Sequence, residues 1–137
     1  MRRKTSLALL AALLFALAPG LGRAAHITLT AKGAEPGSAV LELATNKLVT
    51  MTPIPFRLRI TDAEGQAVKG AKISCEMTMP SMKMPENRPK VAERNGYYIG
   101  ELMFTCAQGA WLIRCEVVAQ GQPGRTLSFE IEGVRMR

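Results

Sequence analysis

The chain has 137 residues, with 18 Lys or Arg, 11 Asp or Glu, three Cys and one His. This length fits one domain, and an apolar fraction of 47% excludes a wholly disordered chain. A single histidine, His26, excludes a histidine-rich zinc site, and the signatures GxxxxGK[ST], GxGxxG and GxSxG do not occur.

The first 24 residues are predicted to be a secretory signal peptide. Residues 2–4 (Arg-Arg-Lys) supply the charged start, residues 7–18 form an apolar stretch, and small residues precede the cleavage point. The apolar stretch is shorter than the about 20 residues that span a bilayer, so cleavage is favoured over retention as an anchor. Cleavage one residue later, after Ala25, is the alternative, and it would make His26 the amino-terminal residue.

Loss of residues 1–24 removes four basic residues and no acidic residue, so the formal charge falls from +7 to +3. No basic cluster interleaved with aromatic residues is left, which argues against nucleic-acid binding. Residues 25–137 are predicted to be one domain in the periplasm or outside the cell. Contact with the membrane is expected only through an uncleaved signal.

Alternating apolar residues predict short β-strands along the exported part of the chain. No exported window has apolar residues at helical spacing over ten residues or more. In chain order, the apolar stripes begin near Ile27, Val40, Phe56, Ile73, Tyr98, Trp111 and Leu127. About seven such strands separated by Gly, Pro and Asn predict an all-β, immunoglobulin-like antiparallel sandwich. The stretch from Pro80 to Asn95 is expected to be an irregular loop.

Three short motifs lie in this part of the chain: Met-Pro-x-Met at 79–82, Gly-x-Tyr at 96–98 and Gly-x-Trp at 109–111. With these motifs the chain resembles the YtkA-like domain family and the related FixH-like domains, over about residues 53–133. The resemblance implies an exported or membrane-tethered immunoglobulin-like sandwich associated with copper handling or respiratory-oxidase assembly. Many members carry a His shortly after Met-Pro-x-Met, where this chain has Lys-Met at 83–84.

Four methionines fall within eight residues: Met77, Met79, Met82 and Met84. Thioether sulfur is a soft, neutral donor that selects Cu(I) over hard cations and zinc, so this cluster predicts a Cu(I) site. The alternative is packing, because methionine fills irregular core space well, and Met77 is expected in the core from its place in the strand stripe. A further interpretation is that loop 80–90 presents methionines to a protein partner.

Three cysteines in an exported chain predict one disulfide and one free thiol. In an immunoglobulin-like arrangement the strands of Cys75 and Cys115 are antiparallel neighbours, which favours their pairing and sets Met79 opposite Trp111. Pairings that involve Cys106 are the alternative. A free Cys106 is expected to be a buried thiol, a soft metal ligand or an intermolecular link. Trp111 is expected to anchor the core, or to make a cation–π contact with a bound ion.

No catalytic constellation is found, because no carboxylate pair can be placed and no nucleophile has an identifiable base. We therefore expect an exported, non-catalytic protein in a copper-efflux or respiratory-oxidase system. Its expected Cu(I) ligands are the methionines of the Met-rich segment together with Cys106. The alternative is a metal-free interaction module that presents the same loop to an envelope partner.

Overall fold

A computed structural model describes residues 26–137, so the predicted signal peptide lies outside the described residues. The described chain forms eight strands, all paired in antiparallel fashion: β1 (Ile27–Thr30), β2 (Ser38–Leu43), β3 (Ile54–Thr61), β4 (Lys72–Thr78), β5 (Val91–Arg94), β6 (Tyr97–Leu102), β7 (Trp111–Val118) and β8 (Arg125–Ile131). Between residues 26 and 137, no helix is long and apolar enough to cross a membrane.

The strands form two sheets that enclose one hydrophobic core. The larger sheet has the order β1-β2-β3-β6-β5, and the smaller has the order β4-β7-β8. The central strands β3 and β7 bury every second side chain, because successive residues of a strand point to opposite faces. The two buried faces meet in the core, which confirms the predicted all-β antiparallel sandwich.

The strand β5 lies inside the stretch that was expected to be an irregular loop, which explains why the fold has eight strands rather than about seven. It lies at a sheet edge and exposes three of its four residues, so it has no alternating apolar pattern. Asn95 and Gly96, with φ of 51° and 83°, join it to β6, with Arg94 opposite Tyr97. An Asn-Gly pair is a strong hairpin signal in a sequence.

The strand that contains Tyr98 is shorter than its apolar stripe. The stripe extends to Cys106, whereas β6 ends at Leu102. Phe104 is still fully buried, but its carbonyl accepts a hydrogen bond of 2.8 Å from the backbone N–H of Met51 instead of continuing the ladder. Cys106 therefore lies in the connecting segment 103–110, which crosses from one sheet to the other.

One end of the sandwich collects several connecting segments. Ile54 at the start of β3 lies opposite Leu102 at the end of β6, and Trp111 at the start of β7 lies opposite Ile131 at the end of β8. The end of β4 lies beside the start of β7. We call this the methionine end, because the seven methionines of the described residues lie on its connecting segments or next to them: Met51, Met77, Met79, Met82, Met84, Met103 and Met136.

Candidate metal site

The disulfide joins Cys75 to Cys115, as the predicted register requires. The two residues lie directly opposite each other on β4 and β7, with 4.0 Å between their Cα atoms. Both side chains are buried. The same register runs to Thr78 opposite Leu112. Cys106 is therefore the free thiol of the described chain, and it is half-buried.

The four clustered methionines lie at different depths. Met77 and Met79 are 0% and 1% exposed and belong to the core. Met84 is half-buried and packs against the core, and Met82 is 45% exposed. The cluster thus runs from the interior to the surface. Met82 and Met84 are the members within reach of an ion or a partner from solvent.

The loop that carries Met82 and Met84 folds back onto β4. A turn begins the loop, because the N–H of Met82 donates to the carbonyl of Met79 over 3.0 Å. At the far end, the carbonyl of Asn87 accepts from the N–H of Met77 over 2.8 Å. The Asn87 side-chain amide donates to the carbonyl of Met103 over 3.0 Å. Asn87 therefore ties the edge strand of the smaller sheet to the segment that leaves β6.

Two connecting segments run side by side in opposite directions at this end. Gly109 lies beside the start of the loop, since a Cβ built on it would be 3.3 Å from Ser81 Oγ and 3.5 Å from Met79 Cε. At the other end, Asn87 bonds to Met103. Segments 81–87 and 103–109 have the same length; they lie close together where Ser81 faces Gly109, and a hydrogen bond joins them where Asn87 faces Met103. The middle residue of the first is Met84, and that of the second is Cys106.

Trp111 fixes the backbone at Cys106. Its side chain is fully buried and meets Phe104 edge-to-face, with 5.3 Å between the ring centroids. The indole N–H donates to the carbonyl of Cys106 over 2.9 Å. Buried tryptophans usually need such a partner. The expectation that Trp111 anchors the core is confirmed, and its polar atom also holds the candidate ligand in place.

Charges on the loop are partly paired. The guanidinium of Arg88 lies 3.7 Å from the carboxylate of Glu76 and 3.3 Å from that of Glu86. All three side chains are substantially exposed to solvent, so these pairs contribute little to stability. Within residues 26–137, no three or more His, Cys, Asp and Glu side chains group together to hold a metal ion.

Three further methionines at this end were not identified from the sequence. Met51 and Met136 are 51% and 74% exposed, and Met103 is half-buried. They are far apart along the chain, so no local pattern marks them. Only the strand pairing places their segments together.

Comparison with family models, with curated proteins and with solved structures finds no match to this chain. The resemblance to YtkA-like and FixH-like domains therefore stays a prediction from the motifs.

Proposed function

We propose that the chain is an exported, non-catalytic copper-handling protein that binds Cu(I) at the methionine end. The proposed ligands are Met82, Met84 and Cys106, with Met79 as the buried donor behind them. The observation that carries this proposal is the alignment of segments 81–87 and 103–109, which lie close together at Ser81 and Gly109, are hydrogen-bonded at Asn87 and Met103, and have Met84 and Cys106 as their middle residues. A thiolate and thioethers form a soft donor set suited to Cu(I).

The gradient of exposure supports a role in receiving and releasing the ion. Met82 reaches solvent, whereas Met84 and Cys106 are half-buried and Met79 is closed off from water. An ion held at half-buried ligands is protected from water, and an exposed thioether offers a first contact for exchange with a copper-efflux or respiratory-oxidase partner. Met77 lies in β4, two residues before Met79, and it supports the site from the core.

The disulfide supports export. Cys75 and Cys115 form a buried bridge, and such bridges persist mainly in oxidising compartments. Thioethers remain available as ligands there, because they do not form disulfides. This agrees with the signal peptide predicted for residues 1–24 and with a periplasmic or secreted location.

The test is a titration of the purified protein with Cu(I) against a chromogenic competitor, under anaerobic conditions. The variant M82L/M84L/C106S should weaken Cu(I) binding at least about tenfold, or ~1.4 kcal/mol. Leucine keeps the volume of methionine, and unfolding curves establish that the variant is folded. An unchanged competition curve would refute the proposal.

A metal-free interaction module is the second candidate, favoured by the exposed thioether of Met82 on the turn of the loop. Flexible methionine surfaces suit adaptable protein contacts. A pull-down from an envelope extract with a Cu(I) chelator present separates the two functions. Capture of a partner that survives the chelator and is lost when residues 80–90 are scrambled would support the module. Capture that survives scrambling would exclude it.

A further inference from the structure

A second group of three methionines lies at the methionine end, outside the loop 80–90 that carries Met82 and Met84. Met51 lies in the turn before β3, Met103 follows β6, and Met136 follows β8. Two of these side chains are more than half exposed, and the third is half-buried. None of the three belongs to the site proposed above.

Backbone hydrogen bonds hold the three segments side by side. The N–H of Thr50 donates to the carbonyl of Arg135 over 2.9 Å, and the next N–H, of Met51, donates to the carbonyl of Phe104 over 2.8 Å. Arg137 adds a second hydrogen bond between the segments of Thr50 and Arg135, because its N–H donates to Thr50 Oγ1 over 3.1 Å. Met51 is thus in the middle segment, with the segment of Met136 on one side and that of Met103 on the other.

The close approach of these segments suits a shared ligand, because backbone hydrogen bonds of 2.9 and 2.8 Å join the middle segment to its two neighbours. A methionine side chain has three rotatable bonds with which to adapt. Three thioethers on adjacent chains can therefore turn towards one ion. Thioether sulfur selects soft cations.

The backbone of Met51 is strained. Its φ is 57°, in the left-handed region where glycine or asparagine is the favoured residue. A large apolar side chain is therefore held in a costly conformation and also exposed to water. Strained backbone positions of this kind cluster at functional sites.

We propose that Met51, Met103 and Met136 form a second site for a soft monovalent cation, with Cu(I) as the ion. This site goes beyond the proposed function, and it does not need Cys106 or the Met-rich loop. Its donors are all neutral and carry no proton.

The two sites are distinguished by methyl resonances of the protein labelled with [methyl-¹³C]methionine and titrated anaerobically with Cu(I). The proposal expects a second equivalent of bound Cu(I) that shifts the methyl signals of Met51, Met103 and Met136 together. The affinity of this equivalent should be the same between about pH 6 and pH 8, because thioethers carry no proton.

Matched variants isolate the second site. M51L/M136L should abolish its shifts and leave those of Met82 and Met84 intact. M51G should also abolish the shifts of the second site, and it should not lower the stability of the fold, because glycine accepts the positive φ. Val118 is 52% exposed at the far end of β7, so V118M adds a lone exposed thioether as a control and should add no bound ion.

Each result decides between the sites. Shifts confined to Met82 and Met84 would refute the second site and leave the proposed function standing. Shifts confined to Met51, Met103 and Met136 would support the second site and refute the proposed function. The absence of any shift would refute both the second site and the proposed function. A gain of bound Cu(I) in V118M would show that any exposed thioether suffices and would also refute the second site.

Discussion

The bridge between Cys75 and Cys115 should carry a large share of the stability of this domain. Its cysteines are 40 residues apart in sequence. Closing a loop of that length in the unfolded chain removes an entropy worth about 4 kcal/mol at 25 °C. Domains of this size are stable by about 5–15 kcal/mol, so removing the bridge should cost between a quarter and most of the total.

The assay is urea unfolding of C75A/C115A beside the intact protein and a C106S control. The double variant should lose about 4 kcal/mol. Its m-value should rise, because the unfolded chain without the bridge exposes more surface. C106S should stay close to the intact protein, since the thiol it alters forms no bridge. A loss of less than about 1 kcal/mol in C75A/C115A would refute the reasoning, as would alkylation of Cys75 in the intact, unreduced protein.

Two further predictions concern side chains away from the sulfur atoms. Burial raises the pKa of Tyr98, whose hydroxyl donates to the carbonyl of Val68 over 2.8 Å. A raised pKa stabilises the fold below the ordinary value of about 10 and loses that contribution as pH rises through the folded value. Urea unfolding should therefore show stability falling above about pH 10, and Y98F should cost about 1–3 kcal/mol and lose this dependence. In G100A the added methyl would collide with the carbonyl of Lys90 and lie 2.8 Å from Phe56 Cε2. A loss of about 1–3 kcal/mol is expected, and unfolding at the stability of the intact protein would contradict it.

The parts of the fold that the sequence predicted are those where one face of a strand is buried. β3 and β7 alternate strictly because every second side chain enters the core. The register of Cys75 with Cys115 was predicted differently, from an immunoglobulin-like arrangement in which their strands are antiparallel neighbours, and the structure confirms it. β5 was missed because three of its four residues are exposed, so this strand has no buried face to impose a pattern.

The candidate site was partly predictable for a related reason. Met77 to Met84 lie within eight residues, so their density is visible without a structure. Their depth is not, because whether a thioether after Pro80 turns inward or outward depends on how the loop is tied to Met77 and Met103. Met51 and Met136 could not be connected from sequence, since 85 positions separate them and only the pairing of their segments brings them together.

Segment 103–110 carries a proposed ligand of each site, Cys106 of the first and Met103 of the second, and its construction bears on whether the sites act together. Three of its carbonyls accept hydrogen bonds from three different directions: Met103 from the Asn87 amide, Phe104 from the N–H of Met51, and Cys106 from the Trp111 indole. Phe104 is also fully buried against Trp111. Transmission between sites requires an element that can adopt two arrangements. A segment that is held by three hydrogen bonds and packed into the core has a single arrangement. The two sites should therefore fill independently, and their juxtaposition should raise the local number of soft donors without making binding cooperative.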